Sequence, residues 1–214
     1  MGEQNSTDKF VDVLSSLGRQ ALRLNAAEAY EKLVIREAAG NPEAQTLLGH
    51  CRPQDLLSVP VKNPDDGNAV LSGLWLWHDW LDASHLISQS LPSATGSFWH
   101  AIMHRREGDF SNAKYWYDRC AKHPILPAIL AQVMPIVGPM PADKTILKLT
   151  MHGWNPHAFV DLVEKVHDKP GDPFYRLAVS VQQLEWRMLF DHSIRQATGT
   201  GAGIQFFTPE SHGG

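Results

Sequence analysis

Residues 78–120 read HDWLDASHLISQSLPSATGSFWHAIMHRREGDFSNAKYWYDRC, and this stretch decides the fold. Two runs with apolar residues at helical spacing flank a connector of turn-forming residues, 90–96 (SLPSATG). A second turn follows at Gly108, and a third helical run begins near Ser111. Short connectors join antiparallel neighbours. The stretch predicts a helical hairpin and a third helix, and similar spacing elsewhere predicts an all-α fold, a single compact domain of antiparallel hairpins.

The first run places its polar side chains in one narrow stripe. With His78 at 0° and about 100° per residue, Asp82 falls at about 40° and His85 at about −20°. Apolar residues occupy both flanks of this stripe, which predicts one continuous helix that is buried on more than one side. A polar stripe on such a helix faces either solvent or an internal polar site.

The second run repeats this spacing with His100, His104 and Glu107. If the two stripes face each other, imidazole and carboxylate groups converge between the helices, as in the metal sites of helical bundles. Zinc, iron or manganese would suit such ligands, with Glu107 as a candidate general base. The candidate metal ligands are His78, Asp82, His85, His100 and His104.

Two other interpretations of these histidines stay open. The stripes can be the solvent-facing sides of their helices, or the histidines can be hydrogen-bonded within the core. The order of residues also differs from the Glu-x-x-His motif of di-iron bundles, because His104 precedes Glu107. A metal site is therefore one of four hypotheses, the fourth being another binding or catalytic role for these histidines.

Composition excludes several classes of protein. The 214 residues carry a net charge of −4 and no long basic run, which argues against a nucleic-acid surface. No apolar run approaches the length of a membrane span, and the first ten residues lack the pattern of a signal peptide. Cys51 and Cys120 have no metal-binding spacing and are expected to be free thiols. We therefore expect a cytoplasmic protein whose partner is a protein, a peptide or a second copy of itself.

Proline, glycine and apolar periodicity predict the domain organisation. Residues 1–50 are expected to form a helical arm packed on the main domain, with one helix ending near Leu24 and another over 26–39. Residues 51–68 contain three prolines and are expected to be an extended connector. Residues 69–198 form the helical core, and 199–214 form a flexible tail.

The turn at Gly108 carries a resemblance to a known repeat. Its pattern of glycine, acid and aromatic, then alanine, aromatic, a small residue and proline, resembles the second half of a tetratricopeptide repeat. The residues that carry it are Gly108, Asp109, Phe110, Ala113, Tyr117, Cys120 and Pro124. The resemblance covers about one repeat and implies a hairpin in which small residues allow close helix packing.

A longer block, FWHAIMHRREGDFSNAKYWY, is similar to a family of uncharacterised bacterial and fungal helical proteins. The segments HDWLDASHLISQ and EWRMLFDHSIRQA look like parts of the same pattern, so the resemblance covers about half of the chain. It implies one compact helical domain and brings no activity with it.

Other side chains are candidates for binding. Arg105, Arg106 and Lys114 flank the turn and could hold an anion, although ion pairs with neighbouring acids are the alternative. Trp99 and Tyr115 could line a ligand pocket or pack between helices. A third helix could add two further polar groups, Glu185 and His192, which lie seven residues apart and share a face.

These residue patterns leave two classes of function. The first is a binding or scaffold module built on the repeat-like hairpin, with no catalytic activity. The second is a metal-dependent, hydrolase-like enzyme with its site between the helices that carry the two polar stripes. The sequence does not decide whether the protein is an enzyme.

Overall fold

The computed structural model describes residues 13–24, 26, 28–36, 39–120, 122–140 and 143–200. Within these residues the chain forms eleven α-helices and no β-strand, which confirms the predicted all-α fold. The helices are α1 (Ser16–Arg23), α2 (Pro42–Leu48), α3 (Pro53–Leu56), α4 (Pro64–Trp77), α5 (Leu81–Ser88), α6 (Ala94–Glu107), α7 (Phe110–Asp118), α8 (Leu126–Val137), α9 (Lys144–Thr150), α10 (Pro156–Val166) and α11 (Pro173–Thr198).

Polar caps followed by proline start several of these helices. The side chains of Asn41, Asn155 and Asp172 accept hydrogen bonds from backbone N–H groups of the first turns of α2, α10 and α11. Proline comes next in each case, at a position where its missing N–H costs no hydrogen bond. A capping residue followed by proline is a sequence signal for a helix start.

Helices α4, α6 and α11 form the centre of the molecule. Nearly every residue of α4 and α6 is buried, and α11 packs along α4. Gly73 makes the close approach of α4 possible, because a Cβ there would lie 2.8 Å from the Trp99 ring and 3.2 Å from Phe190. The Trp186 indole N–H donates to the Gly73 carbonyl at 2.9 Å. Large aromatic side chains thus fill the space between the three helices.

The turn between α6 and α7 has the predicted character. Gly108 ends α6 with φ 89°, a left-handed conformation that favours glycine. Asp109 then caps α7 by accepting from the Asn112 backbone N–H at 3.0 Å. Ala113 and Tyr117 are buried on α7, where it packs against α6. The likeness of this hairpin to a tetratricopeptide repeat stays a prediction.

The N-terminal segment differs from its prediction. The helix predicted over 26–39 is wrong, because residues 26, 28–36 and 39 follow an irregular path. Gln182 of α11 donates through Nε2 to the carbonyls of Tyr30 and Lys32, at 2.6 and 3.0 Å. The Ile35 N–H donates to the Arg106 carbonyl at 2.7 Å. Long-range hydrogen bonds here replace those that a helix would form within itself.

The predictions for the first helix, the connector and the tail agree with the structure only in part. The first helix is predicted to start at Thr7 or Asp8. Its part up to residue 12 lies outside the described residues, and its second half is α1. The expected connector, 51–68, contains α3 and the start of α4. The expected tail lies outside the described residues from residue 201 onward.

None of the helices in the described ranges combines the length and the apolar character that a bilayer crossing would require.

Candidate metal site

The helix predicted to run through His78 is interrupted. α4 ends directly before this residue and α5 starts three residues after it. Between them Asp79 adopts φ 63°, which is uncommon for a residue other than glycine. Its Oδ1 lies 2.8 Å from the buried Arg106 guanidinium, and Gly40 packs so closely that a Cβ would overlap the His78 carbonyl. The prediction of one continuous helix is wrong, because these contacts turn the chain.

The interruption separates two candidate ligands from the rest. His78 is buried and its Nε2 lies 2.8 Å from the Ala21 carbonyl oxygen, a hydrogen bond within the core. Burial lowers the pKa of this imidazole below its usual value. Asp82 is exposed on α5. The structure therefore places neither His78 nor Asp82 with the other histidines.

Three of the candidate ligands do come together. His85 on α5 lies against His100 and His104 on α6, with ring centroids 4.7 and 5.5 Å away. The two α6 rings are stacked, with centroids 4.6 Å apart. One nitrogen from each ring forms a group in which all separations are within 4.8 Å. The helical spacing of four residues and the antiparallel packing of α5 on α6 produce this convergence.

His100 is the most unusual member of this cluster. Its side chain is buried, with a residue exposure of 2%, and neither ring nitrogen has a hydrogen-bond partner among the described residues. Burial, and secondly the nearby His104 and His85, lower the pKa of His100 to about 3. The ring is therefore neutral at physiological pH and presents a free lone pair to its neighbours.

Trp116 of α7 covers one face of His100. The two rings are stacked, with centroids 4.0 Å apart and an interplanar angle of 13°. Trp116 is half-buried, so its ring shields His100 from water on that side. His85 is also half-buried, which leaves a route from solvent to the cluster along α5.

His104 has a fixed orientation. Its Nδ1 lies 2.6 Å from Oε1 of Glu107, one turn further along α6. An ionised carboxylate can only accept, so in the neutral imidazole Nδ1 carries the proton and Nε2 carries the lone pair. Carboxylate–imidazole pairs of this kind orient histidine ligands in metal sites. Glu107, the candidate general base, is thus placed where it positions a ligand.

Asn112 of α7 adjoins the same imidazole. Its amide nitrogen lies 3.0 Å from Nε2 and 3.4 Å from Nδ1 of His104. An atom so near to both nitrogens would overlap the ring carbons if it lay in the ring plane, so it lies over the ring face. The in-plane lone pair of Nε2 is therefore not directed at Asn112.

The cluster needs a modest closure before it could bind a metal ion. Nitrogen ligands of a tetrahedral zinc ion, each about 2.0–2.1 Å from the metal, lie about 3.4 Å apart. Separations of up to 4.8 Å therefore have to shrink by up to about 1.4 Å. Side-chain rotation of the half-buried His85 can provide this. His104, Glu107 and Asp109 form a second close group, but Asp109 is already used as the cap of α7.

The residues predicted to bind an anion do not converge. Arg105 is fully buried and pairs with Glu185 of α11 at 2.5 Å. Burial is the largest influence and lowers the pKa of Arg105, but Glu185, Tyr117 and Tyr30 together outweigh it, so this pKa is raised. Arg106 pairs with Asp79, and Lys114 pairs with Asp161. The three cations therefore point to three different partners, as ion pairs rather than as one site.

The predicted pocket aromatics have different environments. Trp99 is completely buried and donates its indole N–H to the Ser193 hydroxyl at 3.1 Å, so it belongs to the core. Tyr115 is 53% exposed, and its hydroxyl accepts from Arg119 at 2.6 Å. The structure does not bring Trp99 and Tyr115 to a common pocket.

The two residues predicted to add a third helix to the site lie apart from the cluster. Glu185 forms the ion pair with Arg105, and His192 packs against His123 with ring centroids 4.7 Å apart. The sequence patterns do not single out Asn112. Asn112 is the third residue of α7, and α7 forms a hairpin with the helix that carries His104. This position near His104 is the sequence feature from which Asn112 could have been predicted.

Comparisons with protein-family models, with curated proteins and with solved structures found no match to this chain. Function must therefore be inferred from the geometry of the site.

Proposed function

We propose that the protein binds a divalent transition metal ion, zinc in the first instance, through His85, His100 and His104. The observation that carries this proposal is the state of His100. A buried polar group without a hydrogen-bond partner costs free energy, on the order of 1–3 kcal/mol. A metal ion would use that lone pair and remove the penalty.

The composition of the ligand set supports a transition metal. Two histidines four residues apart on one helix are a recognised zinc-binding pair, and His85 supplies a third ligand from the neighbouring helix. Imidazoles suit zinc, copper, nickel and iron, whereas magnesium and calcium prefer oxygen ligands. Glu107 supports the proposal because it holds His104 in the tautomer that leaves Nε2 free.

A catalytic role for this metal is the first extension of the proposal. Three protein ligands leave a fourth position for water, as in zinc enzymes, where the metal lowers the pKa of that water to about 7. A hydrolase-like reaction is the corresponding activity. Glu107 as general base stays a prediction, and its 38% side-chain exposure would let it reach a substrate.

A binding or scaffold role is the second candidate. Several apolar side chains on α8 and α9 are exposed, among them Met134 at 48% and Leu147 at 52%. Such side chains are typical of surfaces that bind a peptide or another protein chain. This role is compatible with metal binding, because the exposed residues lie on other helices than the histidines.

Metal titration tests the proposal. Protein purified without chelator is assayed for bound metals, then stripped and titrated with Zn²⁺ by calorimetry. We expect one ion per chain, and loss of binding in His100→Ala. The matched control is His152→Ala, because His152 is an exposed histidine outside the cluster. Absence of stoichiometric binding, or equal binding by both variants, would contradict the proposal.

A further inference from the structure

We infer that the proposed metal centre takes a small anion as its fourth ligand, and that the Asn112 side-chain amide donates a hydrogen bond to this anion. The inference rests on the proposed metal site, and adds to it a ligand class and a positioning residue. Three features of the structure carry it: the place of Asn112, its rigidity, and the lack of a spare protein ligand nearby.

The place of Asn112 follows from its two distances to His104. Its amide nitrogen lies over the ring face, 3.0 Å from Nε2. A metal ion in line with the Nε2 lone pair, about 2.0–2.1 Å from that nitrogen, would lie about 4 Å from the amide nitrogen. An atom bound to the metal on that side would therefore come within hydrogen-bonding distance of the amide.

The backbone of Asn112 is held independently of this contact. Its N–H donates to Oδ1 of Asp109, the cap of α7, at 3.0 Å. Hydrogen bonds, of which that from Asn112 is the largest contribution, lower the pKa of Asp109, so the cap stays ionised. A side-chain substitution at Asn112 leaves this anchor in place. The donor is thus fixed on a helix start rather than on a loop, as a preorganised site requires.

Among the residues that the structure describes, the carboxylates of this region are engaged elsewhere or exposed. Glu107 is bound to Nδ1 of His104, Asp109 caps α7, and Asp82 is exposed outside the cluster. Three neutral imidazoles leave the charge of a divalent ion uncompensated. The ligand that best matches this charge and the Asn112 donor is a small exogenous anion, such as hydroxide, azide or a carboxylate.

The test uses Co²⁺ in the stripped full-length protein, with azide as the anion. Co²⁺ has visible absorption that reports both metal binding and the arrival of a new ligand. The variants are Asn112→Ala, which removes the donor, and Asn112→Asp, which replaces it with an acceptor of the same shape. Asp118→Asn is the matched control, since Asp118 is an exposed polar residue at the other end of α7.

We expect azide to bind the Co²⁺ protein and to change its spectrum. Both Asn112 variants should bind azide about tenfold more weakly or worse, because each loses a hydrogen bond to a charged ligand. Azide is titrated with every variant saturated with Co²⁺, so that a change in metal affinity does not enter the comparison. Asn112→Asp should bind Co²⁺ more tightly than Asn112→Ala, because its carboxylate compensates the charge of the ion. Asp118→Asn should match the wild type in both titrations.

Three results would overturn the inference, and they are distinguishable. Equal azide affinity in wild type and both Asn112 variants would remove the donor role while leaving the metal site intact. Azide binding weakened equally by Asp118→Asn would attribute the loss to a disturbed α7 and remove the specific role of the Asn112 amide. Absence of Co²⁺ binding to the wild type would overturn the proposed function together with this inference.

Discussion

Two polar clusters share helix α6, and they begin at adjacent residues. On one side, Arg105 donates to Tyr117 and to Glu185, both at 2.5 Å, and the Tyr117 hydroxyl donates to Glu185 at 3.0 Å. All three side chains are buried. On the other side, His104 adjoins His100, whose two ring nitrogens have no hydrogen-bond partner in the described part of the chain.

Unused lone pairs, rather than burial or polarity, distinguish the two clusters. The arginine cluster keeps one buried donor without a partner in the described residues, Nε of Arg105, whereas the histidine cluster keeps a lone pair that a metal ion could use. In the arginine cluster both charges are compensated, and each of the three side chains bonds to the other two. Such a network has little left to offer a ligand, and its role is structural. The histidine cluster retains a lone pair on His100 that no described residue uses, together with the partly exposed ring of His85. A site that keeps unsatisfied groups in a folded protein is a candidate for binding.

Breaking the arginine cluster should have the largest effect. Glu185→Ala leaves the Arg105 charge buried without a partner, and we expect a loss of about 3–5 kcal/mol in the free energy of unfolding. Urea denaturation of wild type and variant measures this. The double variant Arg105→Met/Glu185→Leu removes both charges and should recover most of the loss. A change below about 1 kcal/mol in Glu185→Ala would contradict a structural role.

Low pH should reduce the free energy of unfolding, because two buried histidines resist protonation in the folded protein. Burial, and next the nearby charge of His192, lower the pKa of His123 to about 3, much as that of His100 is lowered. The folded state thus binds fewer protons than the unfolded state, so stability present above about pH 6.5 is lost as the pH falls toward 3.

Between about pH 6.5 and 3, each of these two histidine rings should lower the free energy of unfolding by up to about 1.4 kcal/mol per pH unit. Urea denaturation at a series of pH values, with chelator present, provides the measurement. In His100→Phe the change in the free energy of unfolding per pH unit should be smaller by the contribution of one histidine ring. An unchanged slope in that variant would mean that His100 titrates normally in the folded protein.

Replacing the unsatisfied ring should have the smallest effect, and a positive one. His100→Phe keeps a flat ring against Trp116 and removes two buried nitrogens without partners. We expect the metal-free variant to be about 1 kcal/mol more stable than the wild type, although it cannot bind metal. Thermal unfolding with and without Zn²⁺ measures both changes. A less stable metal-free variant would show that His100, like Arg105, has a structural role in the folded protein.

The fold class and much of the histidine cluster were predictable from local sequence. Apolar spacing and caps such as Asn41 with Pro42 determine where helices form, and short connectors make α5 and α6 antiparallel neighbours. The spacing of His100 and His104 on one face follows from the helical repeat alone. These features depend on residues within one or two turns of each other, which a sequence pattern can report.

The remaining errors come from contacts between distant residues. The turn at Asp79 depends on Arg106 and Gly40, which periodicity cannot locate, and it removes His78 from the site. Arg105 was a candidate anion ligand because its partner Glu185 lies 80 residues away. In both cases the charge was evident in the sequence and the partner was not.

The irregular N-terminal segment has a consequence for biosynthesis. Its carbonyls at Tyr30 and Lys32 are bonded by Gln182, which lies 152 and 150 residues further along the chain. At typical rates of translation, roughly 8–30 s separate the synthesis of these residues. During that interval the segment has no α11 to bind, so we expect an emerging chain to hold its N-terminus loosely and to dock it last.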